Sequence, residues 1–354
     1  MNSKQRVLCA IHHEEADRVP ISISLTPYAA EALSRVTGLA GFELSQFLGE
    51  DILGTPFDPW GYYSGNNRTQ GSTYVDYWGI TRVWIDQPGG GAYTEVLVSP
   101  LAEAGLNDLN NYAWPILEDH PSMQLVPEFV QKYGKDYFLV GQGASIFEGA
   151  FNLIGYQRFL TDLGGDRPFI TRLVDILTEI QAAAIVREVE LGMDAIYFMD
   201  DPSWQNGMLL APSVWREIFK PRYQYMIQRA RKINPDVIIA NHNCGDLRKI
   251  IPDWIELGMQ LLDPIQPKSM DPAELKRLYG ERICFRGAVD EQSVLPFGTP
   301  EDVVAEVKLR LKQMAAGGGY IVGPSHAVQA DTPPENILAL AKTAQEFGRY
   351  PLNI

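Results

Sequence analysis

Cysteine is scarce: Cys9, Cys244 and Cys284 are the only three in 354 residues, too few and too scattered for a disulfide framework. An N-terminal apolar run ahead of a small-residue cleavage site is also lacking, so the sequence predicts a cytoplasmic, reduced protein. No stretch approaches the roughly 18 consecutive apolar residues that a membrane-spanning helix requires. Positive charge is in short supply, with 30 Lys and Arg against 44 Asp and Glu, and the net charge of −14 repels phosphate backbones and anionic bilayers. Nucleic acid and membranes are therefore not expected partners. No Gly-x-Gly-x-x-Gly follows the first strand, which counts against a dinucleotide-binding fold. Histidine is rare too, at five residues, so histidine chemistry has few places to occur.

The chain does have ample core-forming material, 45% hydrophobic against 21% charged, which suits one large domain over residues 1–354. After a short amphipathic helix (Gln5 to His12), the alternating segment Val19 to Ser24 reads as a first strand. Aromatic and β-branched text from Gly71 to Leu101, broken by Pro88-Gly89-Gly90-Gly91, reads as a small β-hairpin insert. Apolar runs then recur at Tyr137 to Val140, Ala195 to Met199, Val237 to Ala240, Met259 to Leu262, Ile283 to Phe285 and Tyr320 to Val322. Helical text separates them, including Asp166 to Leu191, Val214 to Ile233, Leu247 to Leu257 and Pro300 to Ala316. Strand–helix repetition means a parallel sheet, and with one more strand near Asp51 the count reaches about eight. This predicts an α/β fold of the (β/α)8 TIM-barrel type.

Catalytic side chains of such barrels come from the C-terminal ends of the strands. Reading each run to its end gives Gln142 and Ser145, Asp200-Asp201, His242 with Cys244, Asp263 with Gln266, Asp290, and Ser325-His326. His242 and Cys244 stand two apart, and extended backbone sends both to one face, where they can converge on one ion. A catalytic zinc needs a third ligand from another strand end. His12 and His13 lie in the first helix and His120 beside Pro121, which makes His326 the best candidate for the third ligand. A lone His-x-Cys pair also arises by chance. Asp200, Asp201 and Asp290 fit catalytic roles but equally fit helix or loop caps. Gln142, Phe147, Gln266 and Tyr77 are candidate substrate contacts; Tyr62, Tyr63, Phe151 and Trp204 could line a pocket or pack a core. Cys284 and Cys9 read as packing residues.

Several segments together carry a wider likeness: Arg6-Val7-Leu8-Cys9-Ala10, Asp17-Arg18-Val19-Pro20, Asp76-Tyr77-Trp78-Gly79, Trp215-Arg216-Glu217, Lys220-Pro221-Arg222-Tyr223, Gly287 to Gln292 and Asp331 to Ile337. With these the chain resembles the uroporphyrinogen decarboxylase superfamily over essentially its full length. Where the decarboxylase proper has an Arg-Gln-Ala-Gly-Arg segment to hold porphyrin carboxylates, this chain reads Ser22-Ile23-Ser24-Leu25-Thr26-Pro27-Tyr28. His242-Asn243-Cys244-Gly245 is instead similar to the zinc-site motif of the cobalamin-dependent methyltransferase branch, whose second cysteine falls where this chain has His326.

That resemblance implies a zinc-dependent methyltransferase that moves a methyl group between a small methylated substrate, such as a methyl ether, and a cobalamin (corrinoid) carried on a partner protein. Replacing a thiolate by a neutral imidazole leaves more positive charge on zinc and favours the methyl-donor side of such a system. Homodimers occur among the relatives, although no heptad or exposed apolar stripe marks one here. Two rivals stand beside this reading: a metal-free decarboxylase-like lyase using Asp200 or Asp201, and a non-catalytic corrinoid or tetrapyrrole binder.

Overall fold

A computed structural model of the chain describes residues 1–61 and 69–354; the pair Tyr62 and Tyr63 lies outside the described residues. Seven parallel strands form one sheet: β1 (Ile52–Gly54), β2 (Phe138–Gln142), β3 (Ala195–Met199), β4 (Ile238–His242), β5 (Leu261–Ile265), β6 (Cys284–Val289) and β7 (Tyr320–Pro324), neighbouring in chain order. The segment from Val19 to Thr26 closes the ring. On one side Val322 N–H donates to Pro20 O and Ser22 N–H to Val322 O; on the other Asp51 N–H donates to Ile21 O. It pairs only through isolated bridges, Ile21 with Val322 and Leu25 with Val328, because Pro20 has no N–H to extend a ladder. The result is the expected eight-membered (β/α)8 barrel.

Strand pleating sorts the core into two parts. Phe138, Val140, Ala195, Tyr197, Ile238, Ala240, Leu261, Cys284 and Ile321 point inward and form one apolar cluster with Val7, Ala10 and Ile11. The latter three belong to the first helix (Ser3–Ile11), which therefore plugs the N-terminal end of the barrel. Arg6 and Arg18 fix that plug, bonding the fully buried Asp51 at 2.6 and 2.7 Å. The alternate residues, among them Leu139, Ile196, Ile239 and Leu262, pack outward against the helices.

Local signals in the sequence account for most helix limits. Thr299 caps the helix Pro300–Met314 in a capping box with Asp302, and Thr26 caps Pro27–Thr37. Two expected helices are shorter than read. The span 214–233 is two helices, Pro212–Ile218 and Lys220–Ile233, broken just ahead of Pro221, whose ring excludes a continuous helix. Residues after Cys244 do not start a helix directly; turns run to Ile250, and the helix Ile251–Glu256 begins with Pro252 in its first turn. Cys284 is buried as expected, whereas Cys9 is partly exposed.

The insert is a three-stranded antiparallel sheet, Thr73–Val75, Thr81–Asp86 and Ala92–Val98. Its tip leans on the barrel mouth: a Cβ on Gly91, at φ +74°, would meet the Tyr28 ring at 2.7 Å. Tyr93 OH bonds the side chain of Gln329, in the loop that carries His326. Among the described residues no helix is long and apolar enough to cross a membrane.

One buried acid gives the fold a pH dependence. Glu188, on the helix Arg167–Leu191, is fully buried against Gly141, with Thr55 and the Gln142 backbone as its nearest polar neighbours, and burial pushes its pKa up to about 8. Between the unfolded carboxylate range and about 8 the folded state holds a proton that the unfolded chain has lost, so stability falls as pH rises through this window. Glu188→Gln should flatten the decline and leave the variant more stable than the parent at alkaline pH, by an amount on the order of 1–3 kcal/mol. Urea denaturation at a series of pH values checks this; parallel curves for the two proteins would exclude it.

Candidate metal centre and its cavity

His242 ends β4 on the same inward parity as Ile238 and Ala240, which brings its ring to the C-terminal mouth. Its Nδ1 lies 2.8 Å from Asp263 Oδ2, and Arg286 holds the other Asp263 oxygen. A carboxylate only accepts, so Nδ1 carries a proton and Nε2 of the neutral ring presents its lone pair to the mouth. Burial works to lower the His242 pKa, but the hydrogen bond and charge of Asp263 outweigh it and raise the pKa above its ordinary value.

Cys244 is placed by its backbone. Asn243 donates to Asp200 O at 2.7 Å and accepts from Ser203 Oγ at 2.7 Å; Cys244 N–H donates to Asp201 Oδ1 at 2.7 Å; Gly245 N–H donates to Gln266 Oε1 at 2.7 Å. Gly245 sits at φ +87°, where a Cβ would lie 2.5 Å from the Trp204 backbone, so glycine is required. The Cys244 thiol then stands 3.8 Å from His242 Nε2. Burial first and the Asp201 carboxylate second push its pKa far up.

His326 follows β7 by two residues, its loop anchored by Ser325 N–H donating to Val289 O at 2.8 Å. Its ring centroid lies 5.9 Å from that of His242, and burial, then the neighbouring His242, lowers its pKa. Donor atoms of His242, Cys244 and His326 all fall within 4.8 Å of one another. Zinc at its usual ~2.0 Å to nitrogen and ~2.3 Å to sulfur spaces such ligands by roughly 3.5 Å, so a small contraction completes the site. The donor set of two imidazoles and one thiol suits zinc and leaves a fourth position open.

The remaining predicted residues divide by where their polar atoms go. Asp200 is buried and committed: Ser145 Oγ, the N–H groups of Ile146, Phe147 and Glu148, and Tyr223 OH at 2.5 Å all donate to it, making it the cap of the helix Ile146–Ile154. Its pKa is held near 6 by burial, opposed by those donors. Asp201 faces the centre through Cys244. Asp290 accepts from Gln292 N–H and Ser293 N–H, a loop cap, and stands 3.5 Å from Lys268.

Gln142 lines the cavity beside the centre, whereas Gln266 is occupied by the Gly245 backbone. Phe147 and Tyr77 point elsewhere. The Phe147 ring is fully buried against Phe151, Phe159 and Phe219, and Tyr77 packs edge-on to His120 in the insert. Trp204 is half exposed at the rim, in the short hairpin Ser203–Trp204 with Gly207–Met208.

Beside the histidines opens a cavity of about 640 Å³, reaching from His242 and His326 to the helices around Ala30 and Leu48. Glu50 and Arg286 line it without having been singled out as site residues. So does Asp263, which the strand-end reading includes. Arg286 has a legible signal, a charge two residues after Cys284 on the inward parity of β6; Glu50, in an irregular segment before β1, has none. Glu148 also escapes the sequence reading: it lies in the first turn of the capped helix near Asp201 and Cys244, and burial holds its pKa well above the ordinary range.

Fold and site together define a (β/α)8 barrel with a His-Cys-His donor set at the mouth. The family model for Uroporphyrinogen decarboxylase (URO-D) matches residues 100–347, and the chain belongs to that family. Among curated proteins it is 26% identical over 217 residues to the Methylcobamide:CoM methyltransferase MtaA of Methanosarcina barkeri, covering 61% of this chain and 60% of that one. It is 27% identical over 183 residues to the Uroporphyrinogen decarboxylase of Chlorobium phaeovibrioides, covering 49% of this chain and 48% of that one. These matches thus span about half to three fifths of the relatives' length. A solved methyltransferase from Methanosarcina mazei shares the fold, with a TM-score of 0.71 at 21% identity over 98% of this chain and 99% of that one.

The Asp263 contact carries its own test. In metal-free protein, Asp263→Asn keeps the shape of the side chain but removes the charge, so the His242 pKa should fall below that of the parent. Titration of the histidine ring signals by NMR reads this directly, and an unmoved His242 would show that Asp263 does not tune it.

Proposed function

We propose that the chain is a zinc-dependent methyltransferase of a corrinoid system, moving a methyl group between a small methylated substrate and a cobalamin-bearing partner protein. One observation carries the reading: His242, Cys244 and His326 bring three donor atoms within 4.8 Å of one another at the C-terminal mouth of the barrel, beside a cavity of about 640 Å³. Similarity to proteins named as methylcobamide methyltransferases supports it.

Zinc bound there supplies a Lewis acid for the heteroatom that bears the methyl group. The chain's own residues do the rest. Asp263 fixes the His242 tautomer and increases the ring's basicity as a ligand. Asp201, through the Cys244 N–H, sets the direction of the thiol, and Asp200 holds the helix behind Asp201. Gln142 lines the approach to the substrate methyl. A single thiolate would leave net positive charge on a bound zinc, which suits polarising an ether oxygen and supports the methyl-donor side.

Among the described residues, the lyase reading lacks the cations that a porphyrin's carboxylates need. Arg18 is tied to Asp51, Arg222 to Asp175 and Arg248 to Asp246, and among the described residues Arg286 is the one arginine that lines the cavity.

Protein purified without chelator should hold zinc at about one ion per chain. His326→Ala should reduce that content severely, with circular dichroism unchanged; full zinc in the variant would remove His326 from the ligand set. Because Cys244 is a protonated thiol in the metal-free protein, zinc binding releases a proton, and affinity should rise roughly tenfold per pH unit across the neutral range, as read by competition with a chromophoric chelator. Incubation with Co(I) cobalamin and a methyl donor should form methyl-cobalt, visible by absorbance; a spectral shift of cobalamin without methyl-cobalt would point to a binder instead.

A further inference from the structure

The run Pro88-Gly89-Gly90-Gly91 has no part in the site described above, yet it lies against the segment that carries His326. It forms the turn between the insert strands Thr81–Asp86 and Ala92–Val98, closed by Gln87 N–H donating to Gly91 O at 3.0 Å and Gly90 N–H to Gln87 O at 2.9 Å. A Cβ on Gly89 would lie 2.6 Å from the Asp331 side chain, and one on Gly91 2.7 Å from the Tyr28 ring. Bare backbone is what lets the turn sit this close to both. Two residues on, Tyr93 OH donates to Gln329 Oε1. The other end of the same amide, Gln329 Nε2, donates to Ala327 O at 2.7 Å.

We propose that the insert positions His326 as a metal ligand: its tip and Tyr93 latch the segment from His326 to Asp331 to the barrel mouth, with the Gln329 amide as the link. This rests on the metal-site reading above and adds to it the residues that set the third ligand. The three ligands differ in how they are held. His242 ends a strand, and Asp263 fixes its ring. The Cys244 turn is bonded to the loops after β3 and β5, through Asp201 and Gln266. His326 stands beyond the end of β7, where the barrel grips the chain at Ser325, whose N–H reaches Val289 O, and at Val328. Val328 N–H donates to Ser24 O, and Val328 O accepts from the Thr26 N–H and Thr26 Oγ.

Between these two grips lie His326 and Ala327, both on the cavity wall, and the Gln329 amide is bonded to the Ala327 carbonyl. Burial and His242 lower the His326 pKa, while Asp201 and the Ala327 backbone act in the opposite sense. A backbone group that favours the protonated ring is an acceptor, so the carbonyl that takes the Gln329 amide is also the one facing the imidazole. Such a carbonyl orients a ligating histidine as a carboxylate does, the part Asp263 plays for His242. Tyr93 thus acts on His326 through Gln329 and Ala327 and is a positioning residue.

Tyr93→Phe removes the hydroxyl and keeps the ring. In metal-free protein, hydrogen exchange read by mass spectrometry should quicken roughly fivefold in the segment 326–332 and keep the parent rate in 242–246. Exchange that quickens equally in both segments is general loosening and overturns the latch, as does exchange unchanged in both. Zinc affinity, read by competition with a chromophoric chelator, should fall roughly three- to tenfold, the loss expected of one hydrogen bond. Placed in His326→Ala, the same substitution should leave zinc affinity where His326→Ala alone puts it, because no third ligand remains to be positioned. An equal loss in the two backgrounds, or none in the parent, overturns the proposal. Protein that takes up no zinc fails the metal reading on its own, and the exchange measurement still decides whether the insert holds the segment.

Discussion

Asp263 is the point on which the site depends. Only 1% exposed, its carboxyl would be driven to the neutral form by burial alone; the Arg286 charge and the His242 hydrogen bond instead bring its pKa below the ordinary value. An isolated charge at that depth costs several kcal/mol, so both partners are held to it. Its two oxygens divide between two partners, one orienting the His242 imidazole and the other fixing the Arg286 guanidinium. A displacement at either end is felt at the other through a single rigid carboxylate.

The two adjacent aspartates after β3 show how the backbone distributes tasks. Asp200 and Asp201 project to different sides of the chain. The first turns outward to satisfy the N-terminal N–H groups of the helix Ile146–Ile154, where partial positive charge favours a carboxylate. The second turns to the Cys244 backbone. Because Asn243 reaches the Asp200 carbonyl and Ser203 bonds both Asn243 and the Cys244 carbonyl, the loops after β3 and β4 form one unit. The position of the thiol is thus set mainly by hydrogen bonds to neighbouring backbone and not by its own side-chain contacts.

Much of this was legible in the residues, and for identifiable reasons. Strand–helix alternation, with proline-opened caps such as Thr26-Pro27 and Thr299-Pro300, marks the barrel because caps and periodicity are local properties. The two-residue spacing of His242 and Cys244 is local as well. Joining them to His326 needed the assumption that strand ends share one mouth, which closure of the ring supplies. What escaped is what depends on packing between distant segments. Glu50 and Arg286 meet only when the irregular first strand seats between β7 and β1. Phe147 and Asp200 follow their strands as a pocket residue would, yet one faces an aromatic core and the other a helix end. Composition does not record which way a side chain turns.

On the proposed reading, charge balance explains how so acidic a protein keeps an electrophilic centre. Zinc bound with one thiolate would retain a single positive charge, and the Asp201 carboxyl is spent on the Cys244 N–H. Glu148 is held protonated by burial and by the two aspartates beside it, and Glu50 by burial, so neither adds a full negative charge near neutral pH. Asp263 is balanced by Arg286. The net charge of −14 therefore belongs mainly to the outer surface. Inside the mouth a single carboxylate, Asp263, ties the Arg286 guanidinium to the His242 ring, so these charges are balanced at short range.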